Sequence, residues 1–133
     1  MKIFITGGTG LLGSNIIKIL TKQKHKIINS FYGKYPEINS NVESCEMNLM
    51  DFEDVKRNIK KYKPDVLIHC AAAIDKKEIE LGKDNAWKNM VEGTKVLATA
   101  ARDINCSFVF ISSDWVFDGT SKLINETSVP FPI

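Results

Sequence analysis

The chain has 133 residues, the length of one domain, and its 44% hydrophobic and 26% charged residues are ordinary for a soluble globular protein. The net charge is only +2 and the lysines are scattered, which predicts a solvated surface and argues against nucleic-acid binding. No apolar run approaches the ~20 residues that span a bilayer, and Met1 leads straight into a strand-like segment. We therefore expect no membrane insertion, no signal peptide and a cytoplasmic location.

The three cysteines, Cys45, Cys70 and Cys106, are far apart and show no CxxC spacing. Each lies in an apolar run, which is typical of reduced thiols buried in a cytosolic protein. Only His25 and His69 could join them as metal ligands, and no ligand spacing connects these residues. The sequence therefore predicts no metal site.

Strand-like and helix-like segments alternate along the chain, which favours an α/β fold with a parallel sheet. The predicted elements, in chain order, are a strand over 2–6, a helix over 11–20, a strand over 26–31, a loop over 32–41, a strand over 42–47, a helix capped by Asp51 and stopped by Pro64, an apolar strand at 66–68, a long helix over 84–102 and a strand over 108–111. The tail from 119 to 133 has turn chemistry.

The first strand runs into a glycine-rich stretch that leads directly into the first helix. Gly7 allows a tight turn, Gly10 lets the backbone approach a pyrophosphate, and Gly13 lets the helix lie close to the strand. The free N–H groups and the positive end of the helix dipole then face the anion. This strand–turn–helix context predicts an NAD- or NADP-binding unit, and we also assign Thr9, Leu11 and Leu12 to the cofactor.

A unit of this kind belongs to a Rossmann-type, doubly wound parallel sheet. We expect the strand order 3-2-1-4-5 with helices on both faces, and a single cofactor-binding domain over residues 1–133. Ligands of such sheets gather at the carboxyl ends of the strands, so that edge is where the remaining site residues are sought.

The spacing of the glycines is GxxGxxG after Thr6, which resembles the TGxxGxxG motif of short-chain dehydrogenases/reductases, especially the extended branch that acts on nucleotide sugars. The segment 48–51, NLMD, resembles that branch's DLxD segment, whose first residue meets the adenine, with Asn48 in place of Asp. The segment 69–72, HCAA, resembles its HxAG or NxAA segment, where small residues let the cofactor lie against the backbone. The resemblance implies further cofactor contacts from Asn48, Leu49, Cys70, Ala71, Ala72 and Ser112.

The segment 110–119, FISSDWVFDG, resembles the STDYVFDG signature of dTDP-4-dehydrorhamnose reductases. The resemblance implies NAD(P)H-dependent reduction of a 4-keto group on a nucleotide-linked deoxysugar. It implies that Ser113 polarises the ketone, and that Asp114 and Trp115 contact the nucleotide sugar. Ser113 has a plainer interpretation as the cap of a turn. His69 is interpreted as a core histidine bonded to the backbone rather than as a base.

Two features depart from the resembled family. Its YxxxK motif, which supplies the proton, has no counterpart, because Tyr32, Tyr35 and Tyr62 are not followed four residues later by Lys. We therefore expect a chain that ends before the YxxxK helix and the substrate domain, and that binds a dinucleotide without reducing a sugar. The second departure is Met90, which stands where the family's NVxGT segment has Asn; Asn89 lies about 100° away on an α-helix.

The stretch from Ile28 to Lys34 contains no carboxylate that would repel a 2′-phosphate, and Lys34 could attract one. We therefore favour NADP over NAD. A function of another class stays open, because the same fold serves as a non-catalytic, dinucleotide-binding regulatory subunit, as in the methionine adenosyltransferase regulatory subunit that resembles this family. A homodimer also stays open.

Overall fold

The computed structural model describes residues 1–33, 42–72, 82–120 and 123–132. Within them, five parallel strands form one sheet in the order β3-β2-β1-β4-β5, which confirms the predicted topology. The elements are β1 (Lys2–Thr6), α1 (Leu11–Thr21), β2 (Lys26–Phe31), β3 (Val42–Glu46), α2 (Phe52–Tyr62), β4 (Val66–His69), α3 (Lys83–Trp87), a π-helical turn (Lys88–Glu92), α4 (Gly93–Asp103), β5 (Ser107–Phe110) and a 3-10 helix (Asp114–Val116).

Helices cover both faces of the sheet, as the sequence predicts. Successive side chains of a strand point to opposite faces, so one set of strand residues packs on α2 and α4 and the alternate set packs on α1. Phe4 and Leu67 belong to the first set, with Val55 and Leu97 from the helices. The second set comprises Ile3, Ile5, Ile27, Val42 and, from α1, Ile17.

Local signals place the ends of α2. The Asp51 carboxylate accepts a hydrogen bond from the Asp54 N–H at 3.0 Å and caps the helix. Lys63 ends it in the left-handed conformation, just before Pro64. The third strand ends one residue before its predicted end, the fourth extends one residue beyond it, and the fifth is shifted by one residue towards the N-terminus. Most of the predicted loop over 32–41 lies outside the described residues.

The helix predicted over 84–102 is confirmed in extent, since residues 83–103 are helical throughout, but the sequence did not predict the π-helical turn inside it. A π-helical turn separates α3 from α4, and the Gly93 N–H donates to the Lys88 carbonyl, five residues back. Gly93 itself packs against the loop after β3, where an added Cβ would lie 2.9 Å from the Leu49 carbonyl oxygen. The described helices are all too short or too polar to cross a bilayer.

Candidate functional site

The carboxyl ends of β1 to β4 surround a groove of about 310 Å³. The groove lies where the sheet order reverses between β1 and β4, the switch point at which ligands of such sheets bind. Its lining consists of Thr6, Gly7, Thr9, Gly10, Ser30, Phe31, Tyr32, Met47, Asn48, Leu49, Met50, Cys70, Ala71, Ala72 and Asn89.

The glycine turn needs its glycines for reasons of space and conformation. Gly7 has a φ of +69°, and a Cβ there would lie 2.7 Å from the Ala71 backbone. A Cβ on Gly13 would collide with the Gly7 carbonyl and lie 2.7 Å from the Gly8 Cα, so Gly13 permits the close approach of helix and strand. Gly10 differs, because a Cβ there would meet only the Gly7 oxygen, at 3.3 Å. Gly10 is therefore the glycine whose missing side chain leaves the groove itself open.

Gly8 is a structural requirement that the sequence reasoning did not single out. A Cβ on Gly8 would collide with the side chain of Asn29, which is fully buried beneath the turn on β2. Within the part of the chain that the structure describes, the amide oxygen and nitrogen of Asn29 have no hydrogen-bond partner. The spacing GxxGxxG carries no signal for Gly8, since the demand comes from a strand 21 positions further along the chain.

The N-terminus of α1 presents uncapped backbone amides at the groove. The first N–H groups of an α-helix have no partner within the helix. Gly10 occupies the N-cap, no side chain caps it, and the first turn of α1 has no acidic residue. This arrangement offers hydrogen-bond donors and a positive dipole end to an anion.

The loop after β3 contributes a polar group on the other side of the groove. The Asn48 Oδ1 accepts a hydrogen bond from the Met50 N–H at 2.9 Å. This bond engages the amide oxygen, so the Nδ2 group is the donor available to a ligand.

A chain of hydrogen bonds beneath the groove, buried at Thr6 and His69, joins β1, β4 and the helical segment after β4. The Ala71 N–H donates to Thr6 Oγ1 at 3.2 Å, and Thr6 Oγ1 lies 2.6 Å from His69 Nδ1. His69 Nε2 lies 2.9 Å from Thr94 Oγ1, which donates to the Met90 carbonyl at 2.6 Å. One neutral tautomer, protonated on Nε2, satisfies every bond in the chain.

Burial lowers the pKa of His69 to about 4, so the imidazole is neutral near pH 7. Both ring nitrogens are occupied by threonine hydroxyls. The interpretation of His69 as a core residue rather than a base agrees with this geometry, but its partners are side chains and not backbone groups.

The placement of Met90 and Asn89 differs from the one expected from the sequence. The expectation treated residues 84–102 as one α-helix, which placed Asn89 away from the face of Met90. The π-helical turn adds a residue to that turn of the helix. Asn89 lines the groove and is half-buried, whereas Met90 is 41% exposed.

The structure brings together many of the residues assigned to the cofactor. Those in the groove lining are Gly7, Thr9, Gly10, Asn48, Leu49, Cys70, Ala71 and Ala72. Those outside the lining are Leu11, Leu12, Gly13 and Ser112. Lys34 lies outside the described residues. The sequence analysis did not assign residues 30–32 to the cofactor, although they line the groove. Their position at the carboxyl end of the predicted second strand would have been sufficient to place them there.

The loop that carries Ser113 is separate from this groove. Ser113 is exposed, and its Oγ accepts a hydrogen bond from the Trp115 N–H at 3.2 Å, which caps the 3-10 helix. Asp114 and Trp115 line a second cavity of about 430 Å³, together with Phe117, Asp118, Gly119 and Ile124. In the described residues, Ser113, which was expected to polarise the ketone, therefore does not share a pocket with the residues that line the groove. No group of three or more potential metal ligands occurs in this part of the chain either.

The sheet order, the glycine turn and the groove at the switch point define a Rossmann-type α/β protein. The family model described as the RmlD substrate binding domain matches residues 1–133, and the chain belongs to that family.

Relatives of two kinds are similar in sequence. Methionine adenosyltransferase 2 subunit beta from Xenopus laevis is 34% identical over 99% of this chain and 38% of its own length. A probable low-salt glycan biosynthesis reductase from Haloferax volcanii is 32% identical over 100% of this chain and 44% of its own length. The chain thus spans less than half the length of these two curated relatives.

Solved structures agree with the fold. A hypothetical dTDP-4-dehydrorhamnose reductase from Sulfolobus tokodaii has a TM-score of 0.88 and 31% identity, covering 100% of this chain and 46% of that chain. The UDP-glucose 4-epimerase from Thermotoga maritima, solved with UDP-glucose, has a TM-score of 0.84 and 25% identity, covering 100% of this chain and 45% of that chain.

Proposed function

We propose that this chain binds NAD(P) in the groove at the carboxyl ends of β1 to β4. The observation that carries the proposal is the uncapped N-terminus of α1, which opens onto the groove through Gly10. A pyrophosphate fits there because backbone amides and the helix dipole favour an anion, and because Gly10 has no side chain in the way.

Other lining residues suit the rest of a dinucleotide. The Asn48 Nδ2 group can donate a hydrogen bond to the base, and Leu49 provides apolar surface beside it. Ala71 and Ala72 are small enough to let a flat ring lie against the backbone. Bound NAD(P)H supplies a hydride; the residues described here bind and orient it.

We further propose that NADPH binds at least as well as NADH. The end of β2, from Ser30 to Gly33, carries no carboxylate to bind a ribose 2′-hydroxyl or to repel a 2′-phosphate. Calorimetric titration of the chain with both cofactors tests this preference. Tenfold tighter binding of NADH would contradict it.

The reaction we propose is reduction of a 4-keto group on a nucleotide-linked deoxysugar, with this chain supplying the cofactor-binding part. The family match, the similarity to reductases and the loop from Ser113 to Asp118 support this proposal. The 133 residues contain no YxxxK pair. Loss of a general acid typically costs about 10²–10⁴ in rate, so the chain alone should bind NADPH without oxidising it.

That expectation is tested by following NADPH oxidation with dTDP-4-dehydrorhamnose. We expect no turnover above background by the 133-residue chain. Turnover comparable to that of a full-length reductase of the family would show that the proton donor is one of the residues present here.

A non-catalytic regulatory role is the second candidate, favoured by the 34% identity to methionine adenosyltransferase 2 subunit beta. If it is correct, the chain should bind a methionine adenosyltransferase catalytic subunit and change its rate of S-adenosylmethionine formation. The assay is run with and without NADPH, and an unchanged rate would remove this candidate.

The binding site itself is tested with Gly10→Val. A branched side chain at Gly10 would occupy the space proposed for the pyrophosphate, and we expect a tenfold or greater loss of NADPH affinity, at least about 1.4 kcal/mol. Ser107→Val is the matched control, because Ser107 is exposed on β5 and lies outside the groove lining. Unchanged affinity in Gly10→Val would overturn the proposed site.

A further inference from the structure

The π-helical turn changes which residue the helix presents to the groove. In an uninterrupted α-helix, Met90 would precede Gly93 by three residues and Thr94 by four, and would share their inward face. Gly93 is buried against Leu49, so that face is the one that meets the sheet edge. The i→i−5 bond from Gly93 to Lys88 adds one residue to the turn and rotates the preceding residues by about 100°.

The solvent exposure of the Met90 and Asn89 side chains reflects this rotation. Met90 is 41% exposed, although it is apolar, while the polar Asn89 is half-buried and lines the groove. Within the described residues, the Asn89 amide has no hydrogen-bond partner. A half-buried amide at a groove, without a partner of its own, is a group suited to a ligand.

The turn is held by the hydrogen-bond chain beneath the groove. Thr94 Oγ1 donates to the Met90 carbonyl at 2.6 Å, inside the π-helical turn. The same hydroxyl lies 2.9 Å from His69 Nε2, at the end of β4. His69 in turn reaches Thr6, the residue before the glycine turn, at 2.6 Å. The position of the π-helical turn is therefore tied to the strand that leads into the proposed pyrophosphate site.

We propose that the side-chain amide of Asn89 hydrogen-bonds the bound dinucleotide. The π-helical turn, held by Thr94, places Asn89 in the position at the groove that Met90 would occupy in an uninterrupted α-helix. The inference rests on the proposed function, since it assigns a further binding residue to the same groove. An amide can donate to ribose and phosphate oxygens and accept from ribose hydroxyls, whereas the Met90 thioether is only a weak acceptor.

The primary test compares Asn89→Ala with Met90→Ala in NADPH titrations. The net free energy of one neutral hydrogen bond corresponds to roughly a three- to tenfold change in affinity. We expect Asn89→Ala to weaken NADPH binding by about that factor, and we expect Met90→Ala to match the unmodified chain. Equal affinity of Asn89→Ala and the unmodified chain, or an equal loss in both variants, would overturn the inference.

The positioning role of Thr94 is tested by a double-mutant cycle. Thr94→Val keeps the shape but removes the hydroxyl, and we expect it to weaken NADPH binding, whereas Thr94→Ser should retain affinity. Because Thr94 acts through Asn89, Thr94→Val should cause no additional loss in the Asn89→Ala background. Additive losses would overturn the positioning role. If Thr94→Val does not fold, the Asn89 and Met90 pair still decides the binding role.

Gly10→Val separates the failure of this inference from the failure of the proposed function. If the unmodified chain binds NADPH and Gly10→Val does not, an unaffected Asn89→Ala variant removes only Asn89 from the site. If the unmodified chain fails to bind NADPH or NADH at all, the proposed function is wrong and this inference is wrong with it.

Discussion

The N-termini of α1 and α2 are two solutions to the same backbone problem. Both helices have 11 residues, and each follows a parallel strand at the carboxyl edge of the sheet. At α2, the Asp51 carboxylate accepts a hydrogen bond from the Asp54 N–H, and Glu53 and Asp54 add negative charge to the first turn. At α1, Gly10 provides no side-chain cap and the first turn has no acidic residue.

The difference shows which of the two helix ends is suited to the anion that we propose. The chain satisfies the amides of α2 with its own side chain and leaves those of α1 accessible at the groove. The stability that α1 gives up is small, because glycine at an N-cap is less favourable than Asp by only about a few tenths of a kcal/mol. A stable helix whose N-terminal amides have no side-chain cap is therefore obtained with glycine instead of Asp at the N-cap.

The largest expected effect comes from giving α1 the cap of α2. Gly10→Asp should fill the anion site with a carboxylate and repel a pyrophosphate, since juxtaposed like charges cost several kcal/mol. We expect NADPH affinity to fall about a thousandfold, about 4 kcal/mol, without loss of thermal stability. Isothermal titration and thermal unfolding measure the two quantities.

Gly10→Asn is the control for Gly10→Asp, because it caps the helix without charge. We expect it to bind NADPH more weakly than the unmodified chain and more tightly than Gly10→Asp. Identical affinities of the two variants would show that the charge plays no part.

The second prediction concerns the pH dependence of stability. The first turn of α2 carries carboxylates. Thr6, just before the glycine turn that leads into α1, is instead hydrogen-bonded to the neutral imidazole of His69. The pKa of His69 is about 4 in the folded chain and 6.5 unfolded, so between these values the unfolded state binds more protons. Stability should therefore be complete above pH 6.5 and fall as the pH drops towards 4, by up to about 3 kcal/mol.

Urea unfolding between pH 7 and pH 4 measures this loss. His69→Gln should have a shallower pH dependence than the unmodified chain. Equal pH dependence in His69→Gln and the unmodified chain would contradict the assignment to His69.

The third prediction reverses the comparison at α2. Asp51→Ala removes the cap, and we expect the free energy of unfolding to fall by about 1 kcal/mol. Asp51 lies outside the groove lining, so NADPH affinity should stay within twofold of that of the unmodified chain. A tenfold change in affinity would mean that α2 also contributes to the site.

The smallest effect is expected at the exposed 3-10 helix that Ser113 caps. Ser113→Ala should lower stability by about 0.5 kcal/mol or less. Because Ser113 is not among the groove-lining residues, NADPH affinity should not change measurably. A tenfold weaker titration would show that Ser113 reaches the cofactor.

Local sequence determined most of the sheet and one side of the site. The turn at Gly7 and Gly10 and the Asp51 cap follow from the local sequence, because each depends on neighbours within a few residues. The strand order followed from the Rossmann-type fold that the glycine turn indicates. The segments after β3 and β4 were also placed correctly at the groove, since the carboxyl ends of parallel strands meet at one edge.

Only the tertiary structure decided which residue of the helix after β4 faces the groove. Helical periodicity points to Met90, but Gly93 is packed against Leu49 and Thr94 is bonded to His69, and a π-helical turn lies just before these contacts. Asn89 takes the inner position instead. The reason is physical: a helix register that depends on contacts with strands dozens of residues away is not contained in the local periodicity of the helix itself.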